Sequence, residues 1–363
     1  MKIVFDCRYT RTDRHDGISR YTAGLVTELA RLHPLTMLIS DHRQLDLLPS
    51  LPWQLTSSPT SIREPLVALQ VNRLKADVVF SPMQTMGSWG RHYRLLLTVH
   101  DLIYYRNRTP PREFPAAIRL LWRAYHLSWW PQRMLLNRAD AVVTVSETTR
   151  SLIAEHNLTK RPVRVVHNAA DASGEAPVRR QTPETGRLVY MGSFMPYKNV
   201  DTLVRATAEL PGHELHLMSR VPEAEQARLE ALAPLARLVF HNGVTDEDYV
   251  TVLRTATALV TASFDEGFGI PLVEAMSLGI PIVVSDIPIF REIGGDAAVY
   301  FDPTSPAALV DAVQELARPG EWSARSGRSV VAAARFTWQA SAERLLAALA
   351  EQAPSSGARQ TTR

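Results

Sequence analysis

Short, continuous apolar runs recur along the chain, separated by stretches in which apolar residues return every three or four positions. Residues 2–6, 35–40, 77–81, 95–99, 141–145 and 163–166 read as strands. Unbroken apolar runs are what a parallel sheet covered by helices on both faces demands. A helix is predicted from about Ile18, with Tyr21, Leu25 and Leu29 on one face, and another helical stretch spans 115–137. Residues 171–187 (DASGEAPVRRQTPETGR) interrupt the pattern with Gly, Pro, Ser, Thr and charge, which marks a linker. Alternation then restarts, with strands at 188–191, 214–218, 238–240, 258–261 and 281–285. Helices are expected at 200–209, 223–232, 246–256, 272–278, 306–317 and 338–351. The pattern predicts two doubly wound α/β domains in tandem, 1–170 and 188–337, then a C-terminal helix at 338–352 and a disordered polar tail at 353–363. A cleft is expected between the domains, at the carboxyl ends of the strands.

A length of 363 residues fits two domains. No apolar run approaches the ~18 residues of a membrane span. Asp6 stands where a signal peptide needs its apolar stretch, so a cytoplasmic protein is expected. Cys7 is the only cysteine, which excludes intramolecular disulfides and cysteine-rich zinc sites and fits a reducing compartment. The net charge of +3 hides an asymmetry: 23 Lys and Arg against 13 Asp and Glu through Asn168, and 17 against 24 from Ala169 onward. Two units facing different partners would produce it, as would opposite charges steadying a domain interface.

The strongest chemical signal is Phe264-Asp265-Glu266-Gly267-Phe268-Gly269-Ile270-Pro271-Leu272-Val273-Glu274-Ala275. A strand runs into a glycine loop and then into a helix with Pro271 near its first turn, where proline is tolerated. Gly267 and Gly269 let the backbone approach a ligand. The N–H groups that open the helix lack intrahelical partners and face a partial positive field, a ready phosphate site. Glu266 and Glu274, eight residues apart, reach different parts of one ligand. Read alone, the segment is equally an ordinary strand–loop–helix junction.

Glu266 and Glu274, within EGFGIPLVEAMSLGIPIV, resemble the E-x7-E motif of the GT4 family of retaining glycosyltransferases, which have the GT-B fold of two Rossmann-like domains. The closest flavour is the group that includes bacterial mannosyltransferases. Other segments fall in the family's order: Asp16-Gly17-Ile18-Ser19-Arg20-Tyr21 is similar to its N-terminal glycine loop, and Val99-His100-Asp101-Leu102 to its His-Asp turn. Ala139-Asp140-Ala141 through Val145-Ser146-Glu147 resembles its "ADxxxxVS" strand, Met191-Gly192-Ser193 through Lys198-Asn199 its phosphate-binding segment, and Asn242-Gly243-Val244 the turn before the nucleoside pocket.

The resemblance implies a nucleotide-sugar donor, a glycan or lipid-linked acceptor, and transfer with retention at the anomeric carbon, with GDP-mannose as first choice. Glu266 would bind donor-sugar hydroxyls near the reacting carbon and Glu274 the ribose. The backbone of Gly267, Phe268, Gly269 and Ile270 would touch donor hydroxyls and the diphosphate, and Lys198 would neutralise the leaving group. Gly17 would admit phosphate and acceptor, Ser193 and Val244 would line the donor site, His100 would contact the donor sugar, and Arg20 and Asp101 would face the acceptor. Members often carry an arginine where this chain has Ser193 or Tyr197, so the diphosphate falls to Lys198, alone or with Arg220 or Arg20. Residues 167–171 lack the glycine usual after Asn168. No dedicated general base is evident, which favours a front-face step in which the leaving phosphate takes the acceptor's proton.

No histidine pair at ligand spacing and no cysteine cluster implies a metal, and no GxGxxG implies a nicotinamide. No cofactor beyond the nucleotide sugar is expected. A nucleic-acid partner is not expected either, because no recognition module is present. Same-fold alternatives are an epimerase, a phosphorylase or a non-catalytic sugar-nucleotide or lipid-binding protein. Residues 106–138 hold seven Arg against one Glu, interleaved with Phe114, Trp122, Tyr125, Trp129 and Trp130. This stretch fits peripheral contact with an anionic membrane surface, or a helix whose aromatics are core and whose arginines are solvated.

Overall fold

A computed structural model describes residues 1–110, 115–170 and 175–353. Contacts divide the chain into two compact units, one of Met1–Arg106, Leu120–Ala169 and the chain from Thr337, the other of Asn107–Arg119 and Ala170–Phe336. Phe114, residues 171–174 of the expected linker and residues 354–363 of the expected tail lie outside the described residues.

The first unit contains β1 (Ile3–Asp6), α1 (Gly17–Leu32), β2 (Leu35–Ile39), β3 (Trp53–Leu55), α2 (Val67–Val71), β4 (Val78–Ser81), β5 (Arg94–Val99) and α3 (Ile103–Arg106). It continues through α4 (Ala116–Tyr125), α5 (Trp130–Asn137), β6 (Ala141–Thr144), α6 (Glu147–Glu155) and β7 (Val163–Val165), with α4 straddling the division between the units. Its sheet is wholly parallel, in the order β3-β2-β1-β4-β5-β6-β7. All four residues of β1, β4 and β6 are buried, as unbroken apolar runs require. Asp16 caps α1 by accepting from the Ser19 N–H at 2.9 Å, and Tyr21, Leu25 and Leu29 lie on its buried face.

The second unit contains β8 (Arg187–Tyr190), α7 (Val200–Ala208), β9 (Glu214–Leu217), α8 (Glu223–Leu232), β10 (Leu238–Phe240), α9 (Asp246–Arg254), β11 (Ala258–Thr261), α10 (Ile270–Ser277), β12 (Ile282–Ser285), α11 (Pro288–Gly294), β13 (Val299–Phe301), α12 (Pro306–Glu315) and α13 (Glu321–Ala333). Its parallel sheet has the order β10-β9-β8-β11-β12-β13. The last helix, α14 (Trp338–Gln352), belongs to the first unit and packs on α1. The indole of Trp338 lies so close to Gly24 that a Cβ there would stand 2.4 Å from it, so α1 needs a glycine at that crossing.

Three features depart from the sequence reading, the first being that α11 and the strand β13 follow the last predicted strand at 281–285. The helical stretch at 115–137 is broken into α4 and α5, with Pro131 in the first turn of α5. The elements β3, α6 and α13 carry little apolar signal: β3 is exposed throughout, and the buried positions of α6 and α13 are mostly Thr, Ser and Ala.

His216 on β9 places its Nδ1 3.0 Å from Nε2 of His241, which follows β10, while Arg187 and Glu214 face His216 Nε2 at 3.3 Å each. Burial lowers the pKa of both imidazoles, and of His100 and His213. Depressed folded-state values mean that this stability is complete above the unfolded pKa, about 6.5, and is lost as pH falls through the folded values. The melting temperature should therefore fall between pH 7.5 and pH 5. An unchanged melting temperature over that interval would contradict the assignment.

Candidate active site

Each sheet reverses its winding once. In the second unit the chain moves outward from β8 through β9 and β10, then returns to place β11 on the other side of β8. The loops after β8 and β11 therefore open at a topological switch point, where open α/β sheets bind ligands. Residues 191–199 form the first loop and 262–269 the second, and the two are joined by the Phe264 N–H donating to the Tyr197 carbonyl at 2.8 Å.

Across this junction the Lys198 ammonium pairs with Glu266 Oε1. Both side chains are only about 15% exposed, at 14% and 15%. Ser263 Oγ also donates to Glu266 Oε1 at 3.3 Å, and Thr261 Oγ1 lies 3.1 Å from Ser263 Oγ. Lys198 Nζ stands 5.3 Å from the Tyr197 ring centroid. The arrangement presents a cation and a carboxylate side by side in a partly desolvated setting, where electrostatic contacts are stronger than in water.

Gly269 takes φ +97° and ends the second loop, in a conformation an L side chain rarely adopts. It stands at the N-cap of α10, which has no side-chain cap and no acidic residue in its first turn. Gly267 and Phe268 are buried, and Phe268 packs edge to face on Phe336 at 5.4 Å. Any contact of Phe268 with a ligand would thus be through its backbone. Glu274 lies on α10 and is partly buried.

The loop after β8 is tied from below. Tyr190 is buried and its hydroxyl donates to the Ser193 carbonyl at 2.6 Å. Burial, then the charge of Glu266, pushes that phenol well above its ordinary pKa, so it stays a donor. Ser193 is exposed. Asn199, which reads in sequence as a helix cap, makes no cap hydrogen bond at φ +52°; its amide donates to the carbonyls of Ala262 and Pro303 instead. Arg220, exposed after β9, lies over Gly243 in the turn that precedes Val244.

Sequence reasoning assigned no role to Ser263, Tyr190 or Asp265. Asp265 is buried and accepts from the Asn107 amide at 3.3 Å and the Glu266 N–H at 3.0 Å. Its position beside Glu266 in the quoted motif was the available signal.

In the first unit the switch point lies between β1 and β4. The loop after β1 leads to Gly17, which is exposed with nothing within 4 Å of where a Cβ would stand. The start of this loop is fixed by Arg8, which donates to both Asp6 and Glu64 carboxylates and to the Ser57 carbonyl. Arg20 follows on α1 and is partly buried. His100, after β5, donates from Nε2 to the Pro82 carbonyl at 2.7 Å and meets the Tyr21 ring edge to face at 5.0 Å. With its pKa lowered by burial the imidazole is neutral, Nε2 carrying the proton. The Asp101 carboxylate accepts from the Ile103 N–H at 3.0 Å. His100 and Asp101 both line a cavity of about 210 Å³.

Two family models match the chain. Residues 15–173 fit Glycosyltransferase Family 4, and residues 177–329 fit Glycosyl transferases group 1. The chain belongs to the GT4 glycosyltransferases. This GT4 enzyme is 23% identical over 317 residues to the O-antigen chain mannosyltransferase RfbU of Salmonella typhimurium strain LT2, covering 83% of this chain and 87% of that protein. It is 26% identical over 242 residues to a D-inositol 3-phosphate glycosyltransferase of Corynebacterium diphtheriae, covering 59% and 56% of the two chains. Among solved structures it resembles sucrose-phosphate synthase of Thermosynechococcus elongatus with a TM-score of 0.74 at 20% identity, over 96% and 98% of the chains. Anabaena HepE in complex with UDP-glucose gives 0.70 at 16%, over 97% and 100%. The fold of the GT4 enzyme is GT-B, with two parallel-sheet α/β domains.

Proposed function

We propose that this GT4 enzyme transfers mannose from GDP-mannose to a hydroxyl of a glycan or lipid-linked acceptor, with retention at the anomeric carbon. The observation that carries the reading is the Lys198–Glu266 pair at the switch point of the second sheet, beside the uncapped start of α10. As the glycosidic bond breaks, negative charge grows on the diphosphate. An ammonium group and the positive end of α10 stabilise that charge. Lys198 thus turns from Glu266 toward the leaving group, and the freed carboxylate takes donor-sugar hydroxyls. Glu274 holds the ribose. Gly267, Phe268, Gly269 and Ile270 offer backbone, and Ser193, Val244 and Arg220 complete the donor side. In the first unit Gly17 admits the donor phosphate, His100 offers a neutral imidazole to the donor sugar, and Arg20 and Asp101 face the acceptor. The departing phosphate takes the acceptor's proton. The reading calls for no metal ion, and it places the enzyme in the cytoplasm, at the inner face of a membrane.

Mannose is supported by relatives named as O-antigen mannosyltransferases, RfbU and a second from Escherichia coli. A uridine donor is the second choice, because HepE was solved with UDP-glucose. A thermal-shift panel separates the two. At a hundredfold excess over Kd the bound nucleotide should add about 2.7 kcal/mol of stability. GDP is expected to raise the melting temperature well above UDP. Stabilisation by UDP alone would move the donor to a uridine sugar, and by neither would remove the donor assignment.

A further inference from the structure

Lys198 stands at the end of a short 3₁₀ turn, Pro196–Lys198, in which the Lys198 and Asn199 N–H groups donate to the Met195 and Pro196 carbonyls at 2.8 and 3.1 Å. Asn199 then adopts the left-handed conformation, φ +52° and ψ +42°, and α7 begins at Val200. Few residues other than glycine tolerate that conformation, and asparagine is one of them. Both the amide nitrogen and the carbonyl of its side chain are engaged. Nδ2 donates to the Ala262 carbonyl at 3.1 Å and to the Pro303 carbonyl at 2.7 Å, and Oδ1 accepts from the Thr202 hydroxyl at 3.1 Å. Thr202 is itself buried, and its hydroxyl lies 3.2 Å from the Pro303 carbonyl. One side chain therefore joins the loop after β8, the end of β11 and the chain after β13. Ala262 directly precedes Ser263, whose hydroxyl donates to Glu266 Oε1. With the Phe264–Tyr197 hydrogen bond, this bridge sets the loop of Lys198 against the loop of Glu266.

We propose that Asn199 is a positioning residue for sugar transfer: its left-handed backbone turns the chain directly after Lys198, and its amide clamps that turn to the strand end before Glu266. The inference rests on the transferase reading above and deepens it. The ammonium is thereby delivered to the diphosphate at a fixed point, and a displacement of about 1 Å in such a site costs about 10²-fold in rate. The residue meets two separable requirements. Positive φ is met by glycine as well as by asparagine, and at a cost by alanine. The bridge between two carbonyls needs the amide. Aspartate has the shape of asparagine, but it lacks both N–H donors and sets a carboxylate against the Ala262 and Pro303 carbonyls.

A double-mutant cycle of Asn199→Gly with Lys198→Met in the full chain tests the proposal. Two quantities are read below the melting temperature of every variant: GDP affinity, and turnover from GDP-mannose to methyl mannoside. Asn199→Gly keeps the backbone and removes the clamp. It should lower turnover about tenfold or more and GDP affinity about threefold in the chain that retains Lys198. Once the lysine is gone there is nothing left to position, so in the Lys198→Met background the same change should cost less than about twofold in either quantity. Asn199→Asp should fall at least as far as Asn199→Gly and show the same dependence on Lys198. A residue that merely braces the loop would lower both backgrounds by the same factor. That result would overturn the proposal, as would wild-type turnover in Asn199→Gly. If Asn199→Gly melts below the assay temperature, Thr202→Val takes its place, since it removes the hydroxyl from Asn199 Oδ1 and leaves the backbone alone. Its expected loss is about threefold with Lys198 and none without, and an equal loss in both backgrounds would overturn the proposal. A wild type that neither binds GDP nor transfers from GDP-mannose would contradict the transferase reading and the inference with it.

Discussion

Glu266→Gln should lower the turnover number for sugar transfer by about 10²–10³-fold while GDP binds with nearly wild-type affinity. The wild-type carboxylate accepts from the Lys198 ammonium and from Ser263 Oγ in a site about 15% exposed. In the proposed reaction it holds sugar hydroxyls while positive charge develops at the anomeric carbon. A neutral amide of the same shape keeps the packing and forfeits the charge, and one such electrostatic contact is worth about 3–4 kcal/mol in a preorganised site. The split between turnover and nucleotide affinity carries the test, because a residue that only braced the loop would disturb both. A variant retaining a tenth of wild-type turnover would remove Glu266 from the chemistry.

Lys198→Met should lose transfer to a similar extent, about 10²–10³-fold, and should also lose GDP affinity by tenfold or more. The lysine differs from Glu266 in being assigned to the diphosphate, which product and donor share. Removing it also leaves Glu266 half-buried without its cation, which costs about 1–3 kcal/mol of stability. Melting temperatures of Lys198→Met and of the Lys198→Met, Glu266→Gln pair separate these effects. The double variant should recover part of the lost stability and none of the lost activity. Undiminished GDP affinity in Lys198→Met would reduce the lysine to a structural counter-ion of Glu266.

The two sheets were legible because buried parallel strands leave unbroken apolar runs: β1, β4, β5, β6, β8, β11 and β12 coincide with the runs read from sequence to within about one residue. The strand–loop–helix around Glu266 was legible for a second reason. The positive φ of +97° calls for the glycine at 269, and Pro271 fits the first turn of the helix that follows. What stayed hidden has equally local causes. The buried face of α13 includes Ser326, Ser329 and Ala333, which give no apolar stripe. The docking of Trp338 onto α1 of the first unit joins residues more than 300 positions apart, which no local pattern encodes. Ser263 and Tyr190 reach the site through one hydroxyl each, and a lone serine or tyrosine at a strand end is unremarkable in sequence. The basic aromatic stretch left two readings open. Leu120 and Leu121 of α4 are exposed and not core, whereas Tyr125 packs on Tyr105 and His126.

At the centre stands the seat of the sugar nucleotide in the second unit. A crystal structure of the full chain grown with GDP tests it most directly. The diphosphate should lie within hydrogen-bond reach of Lys198 Nζ and the backbone N–H groups at the start of α10, with the ribose hydroxyls on Glu274. GDP bound away from Lys198, Glu266 and Glu274 would contradict the account.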